Sequence, residues 1–300
     1  MRVLLTGASG FIGSHVARIA LAEGHEVVAL VRPGSSLRRL DDIRGRLKIL
    51  EGDLRDALAL RLDKPDVCLH LAWYAEPGRY LKARDNLDCL AGSLALLHLL
   101  KDVGCPRLVI AGSSFEYDAR PGPVSETSDV RPATLYAAAK HALFLVASNF
   151  DASGFRVATA RIFSLYGPWE DPRRLVPFVL SKLLDGKECE ITGGDKIRDY
   201  SHVEDVAGAL WAIAKSSAVG PVNVASSRPV SIASIAERLG DLVGRRELLR
   251  VRESSMVSGE PTFLVANTDR LQREIGFAPR YDLDAGLAHT VAWWRSNRGE

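Results

Sequence analysis

The chain lacks any apolar run able to cross a bilayer. The longest, residues 94–100, already contains His98, whereas a spanning helix needs about 20 such residues. It lacks an excess of either charge, with 39 Lys and Arg against 37 Asp and Glu in 300 residues. No basic run and no basic–aromatic stripe is present, so charge makes no case for a nucleic-acid or membrane-surface partner. Cysteine is scarce: Cys68, Cys89, Cys105 and Cys189 stand far apart and make no C-x-x-C pair. That favours reduced thiols over disulfides or a metal site. Repeats, low-complexity tracts and long linkers are missing as well. The first apolar strand starts at the N-terminus and leaves no room for a signal peptide, so a cytoplasmic protein is expected. Apolar residues at 47% and charged residues at 25% are ordinary for a soluble enzyme. The length suits one large domain or two closely joined ones.

What is present is Thr6-Gly7-Ala8-Ser9-Gly10-Phe11-Ile12-Gly13, between apolar Val3-Leu4-Leu5 and a periodic segment to residue 23. Strand, glycine turn and helix in that order make a phosphate cradle. Gly7 permits the sharp turn, Gly10 keeps side chains away from a pyrophosphate, and Gly13 lets the helix lie close to the strand. The helix start adds free N–H groups and partial positive charge. A glycine turn that serves packing alone is the competing account.

Apolar strands are expected at 2–6, 26–31, 46–50, 66–71, 107–112 and 155–161, with helices at 12–23, 54–61, 79–103 and 134–153. Strands apolar throughout, alternating with helices, imply an α/β, doubly wound Rossmann-type parallel sheet whose ligands lie at the strands' carboxyl ends. After Arg161 the rhythm changes. A helix is expected at 174–185, strands near 189–192 and 198–203, a helix at 204–217 and a strand at 221–225. Then come a helix from 231 to 243, an extended piece at 248–252, a loop at 253–261 and a last helix at 283–295. The expected division is a dinucleotide-binding domain from 1–163 and 200–225, and a smaller, discontinuous substrate-binding part from 164–199 and 226–300.

The residue ending the second strand selects the cofactor. A carboxylate there holds ribose hydroxyls and repels a 2′-phosphate. Here the position is Arg32, followed by Pro33-Gly34-Ser35-Ser36. A guanidinium and hydroxyls suit a phosphate, so NADP is expected, with NAD as the lesser possibility. Arg32 stacking on adenine or pointing to solvent is the alternative. Asp53-Leu54 stands where an adenine amino group could be held, and Asp53 could equally cap a helix.

Tyr136-Ala137-Ala138-Ala139-Lys140 puts a phenol and an ammonium on one helix face. A neighbouring Lys⁺ lowers a phenol's pKa by stabilising phenolate. Tyr136 could then protonate a carbonyl oxygen as hydride reaches its carbon, while Lys140 anchors the nicotinamide ribose. Ser113, ending the fifth strand, could donate to the same oxygen. An ordinary Ser-rich turn is the alternative for Ser113.

With TGxxGFIG, His70-Leu71-Ala72, Asn86-Leu87, Ser113 with Tyr117, and YxxxK in place, the chain resembles the extended short-chain dehydrogenase/reductase family. Arg161-Ile162-Phe163, Tyr166-Gly167-Pro168, Arg198-Asp199-Tyr200 and Val203-Glu204-Asp205-Val206 extend the likeness, which reaches Leu271, Gly276-Phe277 and Pro279. Members of this family mostly act on nucleotide-linked sugars. The resemblance implies a Ser113/Tyr136/Lys140 triad. It implies a cofactor along Gly7, Ser9, Gly10, Phe11, Ile12, Asp53, Leu71, Ala72 and Trp73, with Ile162 at the nicotinamide end.

Departures narrow the chemistry. Dehydratases of the family carry an acid two places after the catalytic hydroxyl, and here that place is Phe115. Enzymes that epimerise and reduce use a Cys there and a His after the Tyr-Gly-Pro turn; here these are Phe115 and Trp169. What remains is hydride chemistry: reduction of a keto sugar, expected at C4, or 4-epimerisation through a transient ketone. Arg32 favours an exchangeable NADPH and hence the ketoreductase. Reduction of a non-sugar carbonyl and a non-catalytic dinucleotide-binding regulator are further alternatives. Arg198 is expected to pair with a nucleotide diphosphate, or else with Asp199 or Asp205. Arg174, Leu175, Ser114, Phe115 and Ser164 complete the expected substrate contacts, with Ser164 replacing an Asn of many relatives. Trp73, Tyr74 and Phe115 could wall a deoxygenated sugar or belong to the core. No metal is expected: His15, His25 and His289 lack ligand spacing, His70 reads as a packed strand residue, and a helix cap explains His202 with Glu204 and Asp205. Trp293-Trp294 is expected to pack the last helix. The resemblance also suggests a homodimer pairing the helices at 79–103 and 134–153.

Overall fold

The computed structural model describes residues 1–118, 122–150, 154–253 and 261–297. In chain order come β1 (Arg2–Thr6), α1 (Phe11–Ala22), β2 (Glu26–Val31), β3 (Lys48–Glu51), β4 (Val67–His70), α2 (Asp85–Asp102), β5 (Arg107–Ser113), α3 (Leu135–Asn149) and β6 (Arg156–Ile162). There follow β7 (Ser164–Tyr166), α4 (Leu175–Leu184), β8 (Cys189–Thr192), β9 (Ile197–His202), α5 (Val203–Lys215) and β10 (Gly220–Val224). The chain continues through β11 (Pro229–Ser231), α6 (Ile232–Val243), β12 (Leu249–Arg252), β13 (Phe263–Leu264) and α7 (Leu283–Ser296).

Seven strands form one parallel sheet in the order β10-β6-β5-β4-β1-β2-β3. Alternation decides which face each residue serves. Val3 and Leu5 of β1 bury against α1 and α5, together with Val16 and Leu210. Leu4, between them, buries on the other face with Leu96 and Leu143 of α2 and α3. Both faces are covered, so the central strands are apolar throughout. Strand order reverses beside β1, which pairs with β2 on one flank and β4 on the other. The crevice at such a switch point is where this fold takes ligands.

The remaining strands are short. β9 pairs with β7, β11 and β13, and β12 pairs with β8. Around them α4, α6 and α7 bury a separate core through Val179, Leu239 and Leu287. No described helix is long and apolar enough to cross a membrane.

Two expectations fail locally, and three short strands go beyond those expected. Residues 54–59 form a 3₁₀ turn kinked at Asp56 instead of an α-helix. Leu54 lies so close to α2 that a Cβ on Gly92 would meet its backbone at 3.0 Å, and Asp53 caps the turn by accepting the Arg55 N–H. Helix α2 starts at Asp85 rather than residue 79. The Asn86 amide donates to the carbonyls of Tyr80 and Ala83 at 2.7 and 2.8 Å, taking acceptors that a helix there would need. The pieces β7, β11 and β13 have only two or three residues, too few for a period to show. The expected loop at 253–261 falls mostly outside the described residues, as does the end of the expected helix at 134–153.

Gly7 holds a φ of +73°, and a Cβ on Gly13 would lie 2.1 Å from the Gly7 carbonyl oxygen. Gly13→Ala is therefore expected to destabilise the protein by about 1–3 kcal/mol through overpacking. A lowered denaturant midpoint in circular dichroism checks this, and an unchanged midpoint contradicts it.

Candidate active site

A crevice of about 320 Å³ opens over the glycine turn. Gly7, Ser9, Gly10, Arg32, Ser35, Asp53, Leu54, Leu71, Ala72 and Trp73 line it. A Cβ on Gly7 would meet the Ala72 backbone nitrogen at 2.7 Å, so two backbones close its floor without side chains. Such a floor fits a dinucleotide pyrophosphate. Phe11, Ile12 and Ile162 are not among the described lining residues. Phe11 opens α1, Ile12 packs into the core, and Ile162 stands opposite Ser113 in the sheet. Arg32 is exposed at the end of β2. Arg55 was not singled out from sequence; it lines the same crevice and grips both Asp53 carboxylate oxygens, at 3.1 and 2.7 Å. That pairing holds the Asp53 carboxyl down at about 2.

His70 is fully enclosed. Its Nδ1 meets the Thr6 hydroxyl at 2.7 Å and its Nε2 the Ser93 hydroxyl at 2.8 Å. Burial pushes its pKa down to about 3, so it stays neutral. Thr6 in turn accepts the Ala72 N–H at 3.2 Å, which ties the cradle to the sheet.

At the carboxyl ends of β4 and β5, Ser113, Tyr136 and Lys140 converge. The Ser113 hydroxyl lies close enough to the Tyr136 phenol to favour its ionised form, and it accepts the Phe115 N–H at 3.2 Å. Lys140 donates to the Ala111 carbonyl at 2.7 Å, and its ammonium lies 3.9 Å from the Trp73 ring centre and 5.9 Å from that of Tyr136. Asn86 accepts the Trp73 indole N–H at 2.9 Å and so orients that ring. Tyr80, unnoticed in the sequence, sets its edge against Tyr136 with centroids 4.9 Å apart. The expected lowering of the phenol pKa is not what the structure gives. Burial and then Tyr80 push Tyr136 upward, against the opposing pull of the Ser113 hydroxyl. The lysine moves instead, down to about 7, because burial disfavours its charge. A neutral phenol is the form that donates a proton.

On the facing wall, Arg174 precedes α4, its guanidinium 5.0 Å from the Tyr80 ring centre. Leu175 begins α4 and packs into the second core. Ser164 stands opposite Tyr200 in the pairing of β7 with β9. Ser114 is buried and Phe115 half-buried. Arg198 is buried and donates to the Ile197 carbonyl at 2.9 Å. The carboxylates weighed as its partners are engaged elsewhere: Asp199 accepts from Ser226, Ser227 and Ala266, and Asp205 from the Arg280 and Tyr281 amides.

The largest omission is Glu170. It is 8% exposed, and its Oε2 has no hydrogen-bond partner among the described residues. The turn that carries it is pinned. Trp169 sits at φ +71°, its carbonyl accepts two bonds from Arg39 at 3.1 and 3.0 Å, and its ring faces Arg38. Nothing in residue type marks this acid as buried; only the tertiary clamp does so. Burial pushes its pKa well up, with Arg174 opposing.

His202, Glu204 and His289 bring three ligand-type atoms within 4.8 Å of one another. Their hydrogen bonds describe a network instead. His202 Nδ1 accepts the Glu204 N–H at 3.2 Å, which puts its proton on Nε2, facing His289 Nδ1 at 3.1 Å. Glu204 accepts from the Tyr281 hydroxyl. A larger cavity of about 560 Å³ between β9, α6 and the start of α7 is lined by groups already engaged, such as Arg238 with Asp284 and Ser226 with Asp199.

A parallel sheet with a glycine-floored crevice and a convergent Ser, Tyr and Lys defines a dinucleotide-dependent oxidoreductase class. The chain belongs to the NAD dependent epimerase/dehydratase family, whose match spans residues 3–225, and it is an NAD(P)-dependent oxidoreductase of the extended short-chain type. It is 28% identical to a probable UDP-glucuronate 4-epimerase of Rhizobium meliloti, over 99% of this chain and 98% of the relative. It is 30% identical to a dTDP-4-dehydro-6-deoxy-D-allose reductase of a Streptomyces species, over 99% and 97%. Among solved structures, a dTDP-glucose 4,6-dehydratase from Streptomyces venezuelae with NAD bound superposes with a TM-score of 0.90, at 28% identity and covering 100% and 98%.

The raised Glu170 pKa carries a sign. Below its ordinary value of 4.5 the carboxyl is protonated folded or unfolded and contributes nothing. Above it the unfolded chain ionises while the folded one resists, so stability drains as pH rises. Glu170→Gln is expected to raise the melting temperature at pH near 7 and leave it unchanged near pH 4. An equal shift at both would rule out charge burial as the cause.

Proposed function

We propose that this enzyme reduces a keto group, at C4, of a nucleotide-linked deoxysugar with NADPH. The reading rests above all on the residues next to the Ser113–Tyr136 pair. Dehydration needs an acid and a base beside the sugar, and 3,5-epimerisation needs a base over its ring carbons. Phe115 offers neither, and Trp169 offers no imidazole. The adjacent carboxylate, Glu116, is wholly buried and is engaged by the Ser113 N–H and Arg161. One neutral phenol is left as proton donor, which suffices for reduction.

In this reading a nicotinamide held in the crevice would be the source of the hydride for the carbonyl carbon. Tyr136 gives its proton to the carbonyl oxygen, and Ser113 donates a hydrogen bond to the same oxygen and fixes its place. Lys140 would hold the nicotinamide ribose and would balance the charge left on the phenol. Gly7, Ser9, Gly10, Asp53, Leu71 and Ala72 would carry the rest of the dinucleotide. Arg174 and Arg198 would face the substrate's diphosphate, where guanidinium forks give paired, charge-assisted bonds. The reductase relative named above acts on a dTDP-linked keto sugar, which supports this substrate class.

An NAD-dependent 4-epimerase is the second reading, favoured by the UDP-glucuronate relative. Arg32 weighs against it: with Ser35 it lines the end of the crevice where a 2′-phosphate would sit. The exposed Leu87 on α2, with Leu145 and Val146 on α3, supports a homodimer built on these helices. The proposed division of labour assigns 1–163 and 200–225 to the dinucleotide and the remainder to the sugar.

Turnover of a panel of UDP- and dTDP-linked 4-keto sugars, followed by NADPH absorbance, tests the reading. Interconversion of 4-epimers with no net consumption of cofactor would select the epimerase. Tyr136→Phe is expected to keep cofactor affinity but lower turnover ~10²-fold or more, and near-normal turnover would remove Tyr136 as donor. Arg32→Ala is expected to weaken NADPH binding by about tenfold or more while sparing NADH, as loss of a charge-assisted bond requires. Equal losses in fluorescence titrations would show that Arg32 does not read the phosphate.

A further inference from the structure

Glu116 has no exposed surface. Its Oε1 accepts the Ser113 N–H at 2.8 Å, and its Oε2 accepts from Arg161 Nε at 3.2 Å and faces His141 Nδ1 at 3.3 Å. Arg161, also buried, keeps its charge and forms an ion pair with this carboxylate. Ser113 and Glu116 close a reciprocal capping box over the 3₁₀ turn Ser114–Glu116. The Ser113 oxygen accepts the Phe115 N–H within that box, which frees its hydrogen for a partner outside. The same carboxylate lies within electrostatic reach of Lys140 and favours its charged form.

The other groups around that ammonium do less for it. From β5 it meets the Ala111 carbonyl, and from the segment after β4 the Trp73 face. From β4 His70 is neutral, from α2 Cys89 is a thiol, and on α3 Tyr136 is a neutral phenol. Glu116 is thus the one full negative charge among these neighbours.

We propose that Glu116 is the positioning residue of this active site: one buried carboxylate fixes the backbone of Ser113 and supplies the counter-charge to Lys140. The proposal rests on Ser113, Tyr136 and Lys140 being the reacting groups, but its test needs no substrate. Because the ammonium sits against the Trp73 ring, its loss of charge alters Trp73 emission. The ligand-free protein is expected to show a fluorescence step near pH 7, where Lys140 titrates, and Trp73→Phe is expected to abolish it. Glu116→Gln keeps an acceptor for the Ser113 N–H and removes the charge, so the step is expected to move down by about one pH unit. Glu116→Asp keeps the charge on a shorter arm; the step is expected to stay in place while turnover of any accepted keto sugar falls, with kcat rather than KM carrying the loss. An unmoved step in a folded Glu116→Gln overturns the proposal, and so does a step that moves in Glu116→Asp. If Glu116→Gln does not fold, the Asp variant and the Trp73-dependent step still decide. A step with this behaviour but no turnover on any nucleotide-linked sugar would instead count against the function proposed above.

Discussion

The structure depends on backbone lying directly on backbone at the first turn. The Gly7 carbonyl occupies the space a Gly13 side chain would need, and the Gly7 α-carbon backs onto Ala72. This contact sets how near α1 comes to β1, and hence how shallow the crevice floor is. It also fixes the segment Leu71–Trp73, whose last residue supports Lys140. A methyl group at either glycine would wedge these layers apart and shift both halves of the site.

Burial then governs the chemistry. A phenol enclosed by Tyr80 and Trp73 resists ionisation, and an ammonium enclosed beside it is close to losing its proton at neutrality. The expectation that lysine acts on tyrosine treats the pair as if it stood in water. In the folded protein both partners are shifted first by the loss of solvent, and the surrounding dipoles and the Glu116 carboxylate set what remains.

The main sheet was legible because its strands are apolar on both faces and its helices are periodic, so pattern and fold agree. The glycine turn, the hydroxyl ending β5 and the Tyr–Lys spacing were legible because their chemistry needs those residue types at that spacing. What was missed has no local signature. Glu116 and Glu170 look like surface acids until the tertiary structure closes over them. Tyr80 looks like one more loop aromatic, and β7, β11 and β13 are too short to alternate. The start of α2 was misplaced because a single side-chain amide, that of Asn86, competes with the helix for two carbonyls.

The clamp on Trp169 bears on how a cofactor is met. Arg38 and Arg39 follow the loop of Arg32 and Ser35 by a few residues, and both hold the far turn that carries Glu170. The loop is therefore moored at each end, by the sheet and by this guanidinium pair. A moored loop has little freedom left to surrender when a ligand arrives, so whatever enters the crevice beside Arg32 and Ser35 meets a preformed wall rather than a closing flap.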